Sequence, residues 1–150
     1  MTGETVMHPF DIRSALLAKH AQHVVIIHFP TALFMVGVAF DWIAQLRKNP
    51  ALCAVAYYNF LVAAISAPIA VGTGILAWQL QLEGERLHGI LLMHLLLGLA
   101  SAALILLVWW IHHQGRDRLA SAVRLALEVV GVLVIALTGH LGGFLSGVNT

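Results

Sequence analysis

Charged residues are scarce in this sequence. Asp, Glu, Lys and Arg account for 10% of its 150 residues, whereas a soluble domain has about 25%. Hydrophobic residues make up 60%, and the mean hydropathy is +0.89. The shortage of charge therefore excludes an ordinary soluble domain and indicates a membrane protein, with one domain expected at this length. Because the formal net charge is only +1, a nucleic acid partner is also excluded.

Cysteine is almost absent, since Cys53 is the only one. A single cysteine excludes an intrachain disulfide, and the lack of any Cys-x-x-Cys-His sequence excludes a covalently attached c-type haem. The first 23 residues have no apolar core, so we do not expect a cleaved signal peptide. The sequence also has no nucleotide-binding motif and no catalytic triad, which disfavours an enzyme that works alone.

Long apolar runs, in contrast, are abundant. A helix needs about 20 apolar residues to cross a bilayer, and only helices satisfy their own backbone hydrogen bonds in lipid over runs of this length. We predict four spans, at residues 24–46, 57–80, 88–111 and 121–146. The predicted connections are short, at residues 47–54, 81–86 and 112–118. Short connections make sequential helices antiparallel neighbours, so the expected fold is all-α, an up-down-up-down four-helix bundle in the membrane.

The part of the chain before the first span is expected to be separate from the bundle. Residues 1–23 are predicted as an N-terminal extramembrane or interfacial segment, and residues 24–150 as the four-helix transmembrane domain. Within the first part, residues 8–22 are typical of a helix on the membrane surface, with apolar side chains toward the lipid.

The distribution of Lys and Arg predicts the orientation of the chain. The first and third connections, with the adjoining start of the fourth span, contain five of them: Arg47, Lys48, Arg116, Arg118 and Arg124. The opposite side has three: Arg13, Lys19 and Arg86. Because positive residues favour the cytoplasmic side, we expect a protein of the bacterial inner membrane with both termini in the periplasm.

Histidines are concentrated at one level of the predicted bundle. His28, His94 and His140 each lie within a different span, near its outer end. At about 1.5 Å per residue, all three are expected about 6–9 Å below the same membrane surface. Three further histidines are expected at that surface: His20, His23 and His88. An ionisable residue inside a span is a candidate for function, although each imidazole could instead hydrogen-bond a neighbouring helix.

Polar residues on the opposite, cytoplasmic side are interpreted as structural. His112 and His113 resemble the interfacial end of a helix, because Gln114 follows them directly. Asp41, late in the first span, is expected to contact Arg124 of the fourth, since an ion pair relieves the burial of both charges.

Glycines accompany the histidines of the outer level. In the sequence TGHLGG (138–143), Gly139, Gly142 and Gly143 form a stripe without side chains beside His140. Gly72 and Gly74 likewise leave two positions of the second span without side chains. Small residues allow close packing of helices, but they could also leave room for a flat macrocycle. One haem b in an apolar cavity with axial imidazoles is therefore a candidate cofactor.

The first and third spans are parallel and diagonally opposite in a simple ring of four helices. His28 and His94 are therefore predicted as the axial ligands of the haem iron, with His140 able to replace either one or to lie beside a quinone. Basic side chains of the outer side are expected near the haem propionates: Lys19, Arg86, His20, His23 and His88. Two alternatives remain open. Converging imidazoles also suit copper or zinc, and a non-catalytic structural subunit could use its histidines only to bond its helices together.

Several of these motifs together resemble one bacterial family. The resemblance rests on HVVIIHFPTALF (23–34), FDWI (40–43), the Thr73-Gly74 pair, His94 and TGHLGG (138–143). They resemble the domain of unknown function 2231 family of four-helix membrane proteins, over roughly residues 23–147. The family often has His-Pro where this chain has His23-Val24, and a Tyr and a His after the double glycine where this chain has FLSGVNT. Relatives joined to Rieske or cytochrome c domains imply electron transfer.

The sequence as a whole favours a b-type cytochrome subunit. Such a subunit would relay electrons between the quinone pool, or a partner subunit, and a periplasmic carrier such as a cytochrome c. We expect it to act within a larger respiratory complex, as an electron-transfer subunit of an oxidoreductase rather than as an enzyme by itself.

Overall fold

A computed structural model describes residues 21–81, 84, 86–114 and 121–146. These residues form four helices and no strand. We number the helices α1 (Ala21–Arg47), α2 (Pro50–Gln81), α3 (Gly89–His113) and α4 (Ser121–Leu145). All four are long and apolar enough to cross a membrane. The predictions of four spans and of an all-α membrane bundle are confirmed.

The connection between α1 and α2 is much shorter than predicted. Residues 47–54 were expected as a loop, but only Lys48 and Asn49 lie outside the two helices. Lys48 has a φ of 49°, which reverses the chain. Asn49 then caps α2, because its Oδ1 accepts a hydrogen bond of 2.9 Å from the Ala51 N–H. Pro50 fits the first helical position, where no N–H donor is needed.

Two other predicted boundaries differ from those of the structure. Helix α1 begins at Ala21, so His23 lies in a helix rather than in the segment before it. Helix α3 includes His112 and His113, which were expected in the following connection. The surface helix predicted for residues 8–22 falls almost wholly outside the described residues.

The helices pack in the order of the sequence. Contacts join α1 to α2, α2 to α3 and α3 to α4, and a smaller contact between α1 and α4 closes the ring. Helices α1 and α3 therefore lie on one diagonal of the bundle, as expected from the short connections.

Two phenylalanines form the centre of the core. Phe34 of α1 and Phe60 of α2 are fully buried, with ring centroids 5.6 Å apart. Each ring lies against a glycine of a neighbouring helix. A Cβ on Gly37 would come within 2.8 Å of Phe60, and a Cβ on Gly131 within 2.7 Å of Phe34. The glycines in α1 and α4 are therefore required for close packing in mid-membrane.

Candidate functional site

His23 of α1 lies partly inside the bundle, next to α2. Its Nδ1 is 3.0 Å from Thr73 Oγ1. The Thr73 hydroxyl donates its one hydrogen bond to the Ala70 carbonyl at 2.8 Å, so its oxygen accepts a hydrogen bond from the His23 Nδ1–H. The neutral imidazole then has its proton on Nδ1 and its lone pair on Nε2.

His94 of α3 is held in the same way by α4. Its Nδ1 lies 3.1 Å from the carbonyl oxygen of Thr138, and a carbonyl can only accept. Nδ1 must therefore carry the proton, which leaves the lone pair on Nε2. The Thr138 hydroxyl lies 3.0 Å from that of Ser101, so α3 and α4 are joined here by two polar contacts.

The two imidazoles have matching positions in the bundle. His23 of α1 and His94 of α3 are on diagonal helices, and both are half-buried. Each ring lies against a glycine, because a Cβ on Gly74 would be 3.0 Å from His23 Cε1 and one on Gly142 would be 3.1 Å from His94 Cε1. We call His23 and His94 the histidine pair. Thr73 and Thr138 supply the oxygen atoms that hold its two rings.

The structure does not bring His28 into the histidine pair. The His28 side chain is exposed, and its Nδ1 hydrogen-bonds the Val24 carbonyl of the same helix. His28 follows His23 by five positions, which places it about 140° further around the helix. His140 is also exposed, and its ring packs edge-on against Phe144 with centroids 5.0 Å apart. His23, and not His28, has the interior position predicted for His28.

The glycines of the predicted stripe have different surroundings. Gly142 contacts His94, as described above, and Gly143 is half-buried. Gly139 and Gly72 are exposed, and a Cβ on either would have no neighbouring atom within 4 Å. These two glycines therefore lie on the outer surface of the isolated chain and do not thin an interior wall.

The basic residues expected near haem propionates are only partly within the described structure. Arg86 and His88 are exposed just before α3. His88 is the N-cap residue of that helix, although its side chain forms no capping hydrogen bond. Lys19 and His20 lie outside the described residues.

A second polar cluster lies at the other end of the bundle. It consists of Asp41 from α1, His112 from α3, and Arg124 and Glu128 from α4, all buried. The predicted contact between Asp41 and Arg124 is confirmed, with Oδ2 and Nη2 3.2 Å apart. His112 lies in the last turn of α3, at a helix end as predicted, but its side chain is buried in the bundle, with only 6% exposed. Its Nε2 points between the carboxylates of Asp41 and Glu128 instead.

A helical period links the two clusters and could have been read from the sequence. His23 and Asp41 are 18 residues apart in α1, as are His94 and His112 in α3. At 100° per residue, 18 residues make about five full turns, so each pair lies on one helix face, about 27 Å apart. The inward face of both helices is therefore marked by a polar residue at each end.

One comparison with known proteins gives a result. The family described as predicted membrane protein (DUF2231) matches residues 19–148, which include the four helices and both polar clusters. No curated protein and no solved structure shows significant similarity to the chain. The resemblance carried by the histidine and glycine motifs is thereby confirmed, and the chain belongs to the DUF2231 family of predicted membrane proteins.

Proposed function

We propose that this chain is a b-type cytochrome subunit in which His23 and His94 bind the haem iron. The supporting observation is the pair of interior imidazoles on diagonal helices, each with Nδ1–H bonded to the protein and a lone pair on Nε2. Imidazoles from two diagonal helices could hold a haem iron between them. His94 was already proposed from the sequence, and His23 replaces His28 as its partner.

The donor set fits an imidazole-bound metal centre. Metal-binding histidines usually donate their second N–H to a carbonyl or another acceptor, which fixes the tautomer and the ring orientation. Thr73 Oγ1 and the Thr138 carbonyl perform this role for His23 and His94. Bound haem supplies a one-electron redox centre, whose potential depends on its ligands and on burial. The chain's own contribution is to orient both rings and to surround them with apolar helix.

The expected path of electrons follows from the orientation. Arg47 and Lys48 lie at the end of the bundle opposite to the histidine pair. If this basic end is cytoplasmic, the histidine pair lies on the periplasmic side of a bacterial inner membrane. Electrons would then pass between the quinone pool, or a partner subunit of a respiratory complex, and a periplasmic carrier such as cytochrome c.

A visible spectrum of the purified protein tests this proposal. Haem b gives a Soret band and reducible α bands. We expect these bands in the wild type, and we expect their loss in His23→Ala and in His94→Ala. The control variants His28→Ala and His113→Ala change exposed histidines and should keep the bands. Retention of a wild-type spectrum by both His23→Ala and His94→Ala would contradict this pair, and His140→Ala would then be examined.

The Nε2 lone pairs of His23 and His94 could instead bind copper or zinc. In that case the protein lacks the haem bands, and elemental analysis should find one metal equivalent fewer in each of the two alanine variants than in the wild type. A third possibility is a structural subunit, which is favoured by one observation. His23 links α1 to α2, and His94 links α3 to α4, so the histidines also hold helix pairs together. A colourless, metal-free protein that is destabilised by both variants would support that function.

A further inference from the structure

We propose that Asp41, His112 and Glu128 bind one divalent metal ion at the end of the bundle opposite to the histidine pair. Three helices supply one ligand each, α1, α3 and α4. Asp41 and Glu128 are fully buried and His112 is 6% exposed. This site does not depend on the haem proposal, because it shares no residue with it.

The distances among the ligand atoms match those around a small ion. His112 Nε2 lies 3.5 Å from Asp41 Oδ1 and 3.5 Å from Glu128 Oε1. All three ligand atoms lie within 4.8 Å of one another. A tetrahedral zinc ion with ligand bonds of about 2.0–2.2 Å separates its ligand atoms by about 3.3–3.6 Å. The nitrogen is therefore at the spacing expected from both oxygens if an ion lies between them.

Each ligand is oriented by a second hydrogen bond. His112 Nδ1 donates to the Val108 carbonyl at 2.8 Å, so the neutral ring has its lone pair on Nε2. Gln45 donates to Asp41 Oδ2 at 2.7 Å, and Trp42 donates to Glu128 Oε2 at 3.0 Å. In every ligand, the atom that faces away from the proposed ion forms a hydrogen bond with a neighbouring group. Ligands in protein metal sites are usually oriented by hydrogen bonds of this kind.

Two of the three inward-facing atoms have no hydrogen bond within the described part of the chain. A separation of 3.5 Å exceeds the usual range for an N–H···O bond, and neither His112 Nε2 nor Glu128 Oε1 has a hydrogen-bond partner. Leaving a buried polar atom unsatisfied is costly. Arg124 is the guanidinium beside these two carboxyl groups, with Nη2 3.2 Å from Asp41 Oδ2 and Nε 3.9 Å from Glu128 Oε1. A cation between the three ligands would satisfy His112 Nε2 and Glu128 Oε1.

The ligand chemistry limits the kind of ion. One imidazole and two carboxylates are borderline to hard ligands, which suit zinc and the other divalent first-row metals. Soft ions such as Cu(I) prefer thiolates and thioethers, and neither belongs to this cluster. Zinc is the ion that we would use as the probe.

Zinc titration of the full-length protein in detergent, after removal of bound metal with a chelator, tests the inference. We expect one equivalent of zinc per chain in the wild type. In His112→Gln and Glu128→Gln the affinity should fall at least tenfold. His113→Gln is the matched control, because His113 is the next residue of α3, is exposed and contacts Tyr57 instead; its affinity should be unchanged. X-ray absorption needs no variant. The spectrum of the wild-type zinc complex should show one nitrogen ligand and two or more oxygen ligands.

The outcomes separate this site from the histidine pair. His94→Ala should still bind one equivalent of zinc here, whether or not it binds haem. Zinc binding that disappears in His94→Ala and persists in His112→Gln would place the ion at the histidine pair and overturn the inference. A wild type that binds no zinc would also overturn it.

Discussion

The ring of Phe34 occupies the space that a side chain at position 131 would need. A Cβ on Gly131 would lie 2.7 Å from Phe34 Cζ, closer than non-bonded carbon atoms approach. Phe34 is 11 residues from His23 and seven from Asp41, so this contact lies between the two polar clusters. The apolar layer around it has Phe60, Val108 and Ile135 as further members. It separates the histidine pair from the proposed metal site.

We expect Gly131→Ala to destabilise the bundle by about 1–3 kcal/mol, the usual cost of overpacking a core. The added methyl group would have to push the Phe34 ring away from α4. Thermal unfolding followed by circular dichroism measures the effect. Gly98→Ala is the control, since a Cβ there has no neighbour within 4 Å. Equal unfolding temperatures for the two variants would contradict the tight contact.

The tautomers of the two interior histidines are also testable. In the cofactor-free protein, ¹⁵N NMR of labelled histidines should show His23 and His94 protonated on Nδ1. Thr73→Val removes one acceptor of the His23 proton and should lower the Nδ1–H fraction of His23 alone, whereas Thr73→Ser should retain it. Such an interhelical hydrogen bond contributes about 0.6 kcal/mol on average, so we expect a small loss of stability in Thr73→Val. An Nε2–H tautomer at both wild-type residues would rule out the hydrogen bonds described above.

Gly142 and Gly139 should respond differently to the same substitution. Gly142→Ala places a methyl group 3.1 Å from His94 Cε1, so the ring must shift by a few tenths of an ångström. We expect weaker haem binding in this variant if His94 is an axial ligand. Gly139→Ala meets open space and should leave haem content unchanged. Haem content per folded protein measures both, and equal losses would show that the contact with His94 is not the cause.

Arg124 is expected to be essential for the buried ion cluster. Arg124→Met leaves the carboxylates of Asp41 and Glu128 buried without their guanidinium partner, and breaking a buried pair in this way costs about 3–5 kcal/mol. The double variant Asp41→Asn/Arg124→Met should recover part of that loss. Arg47→Met, an exposed position at the end of α1, serves as the control and should have little effect. Unfolding measurements on all three variants give their free energies of unfolding. An Arg124→Met variant as stable as the wild type would show that the ion pair is dispensable.

The orientation in the membrane can be measured with reporter fusions. A periplasmic reporter such as alkaline phosphatase should be active when fused after Thr150 and inactive when inserted in the connection between α3 and α4. Lys and Arg are more frequent on the side of that connection, by five to three. The reverse pattern would place the histidine pair at the cytoplasmic surface and remove the periplasmic carrier from the proposed function.

The amino-acid sequence by itself determined the class of the fold. Four apolar runs of sufficient length, with few charges, leave helices as the solution in lipid, and short connections make neighbours antiparallel. The ion pair between Asp41 and Arg124 was also predictable, since both charges fall at one depth near the cytoplasmic end. Depth along a helix follows directly from residue number, so the sequence also predicted that several histidines share one level.

Only the tertiary structure decided which of these side chains face inward. The four helices are apolar on nearly all sides, because lipid outside and core inside favour the same residues, so no polar face indicates their rotation. That rotation places His23 inside and leaves His28 exposed, although His28 was the predicted ligand and His23 was expected at the membrane surface. It also turns His112 into the cluster with Asp41 and Glu128. The reason is that a helix fixes the angle between its own residues, whereas packing against its neighbours fixes the face that it buries.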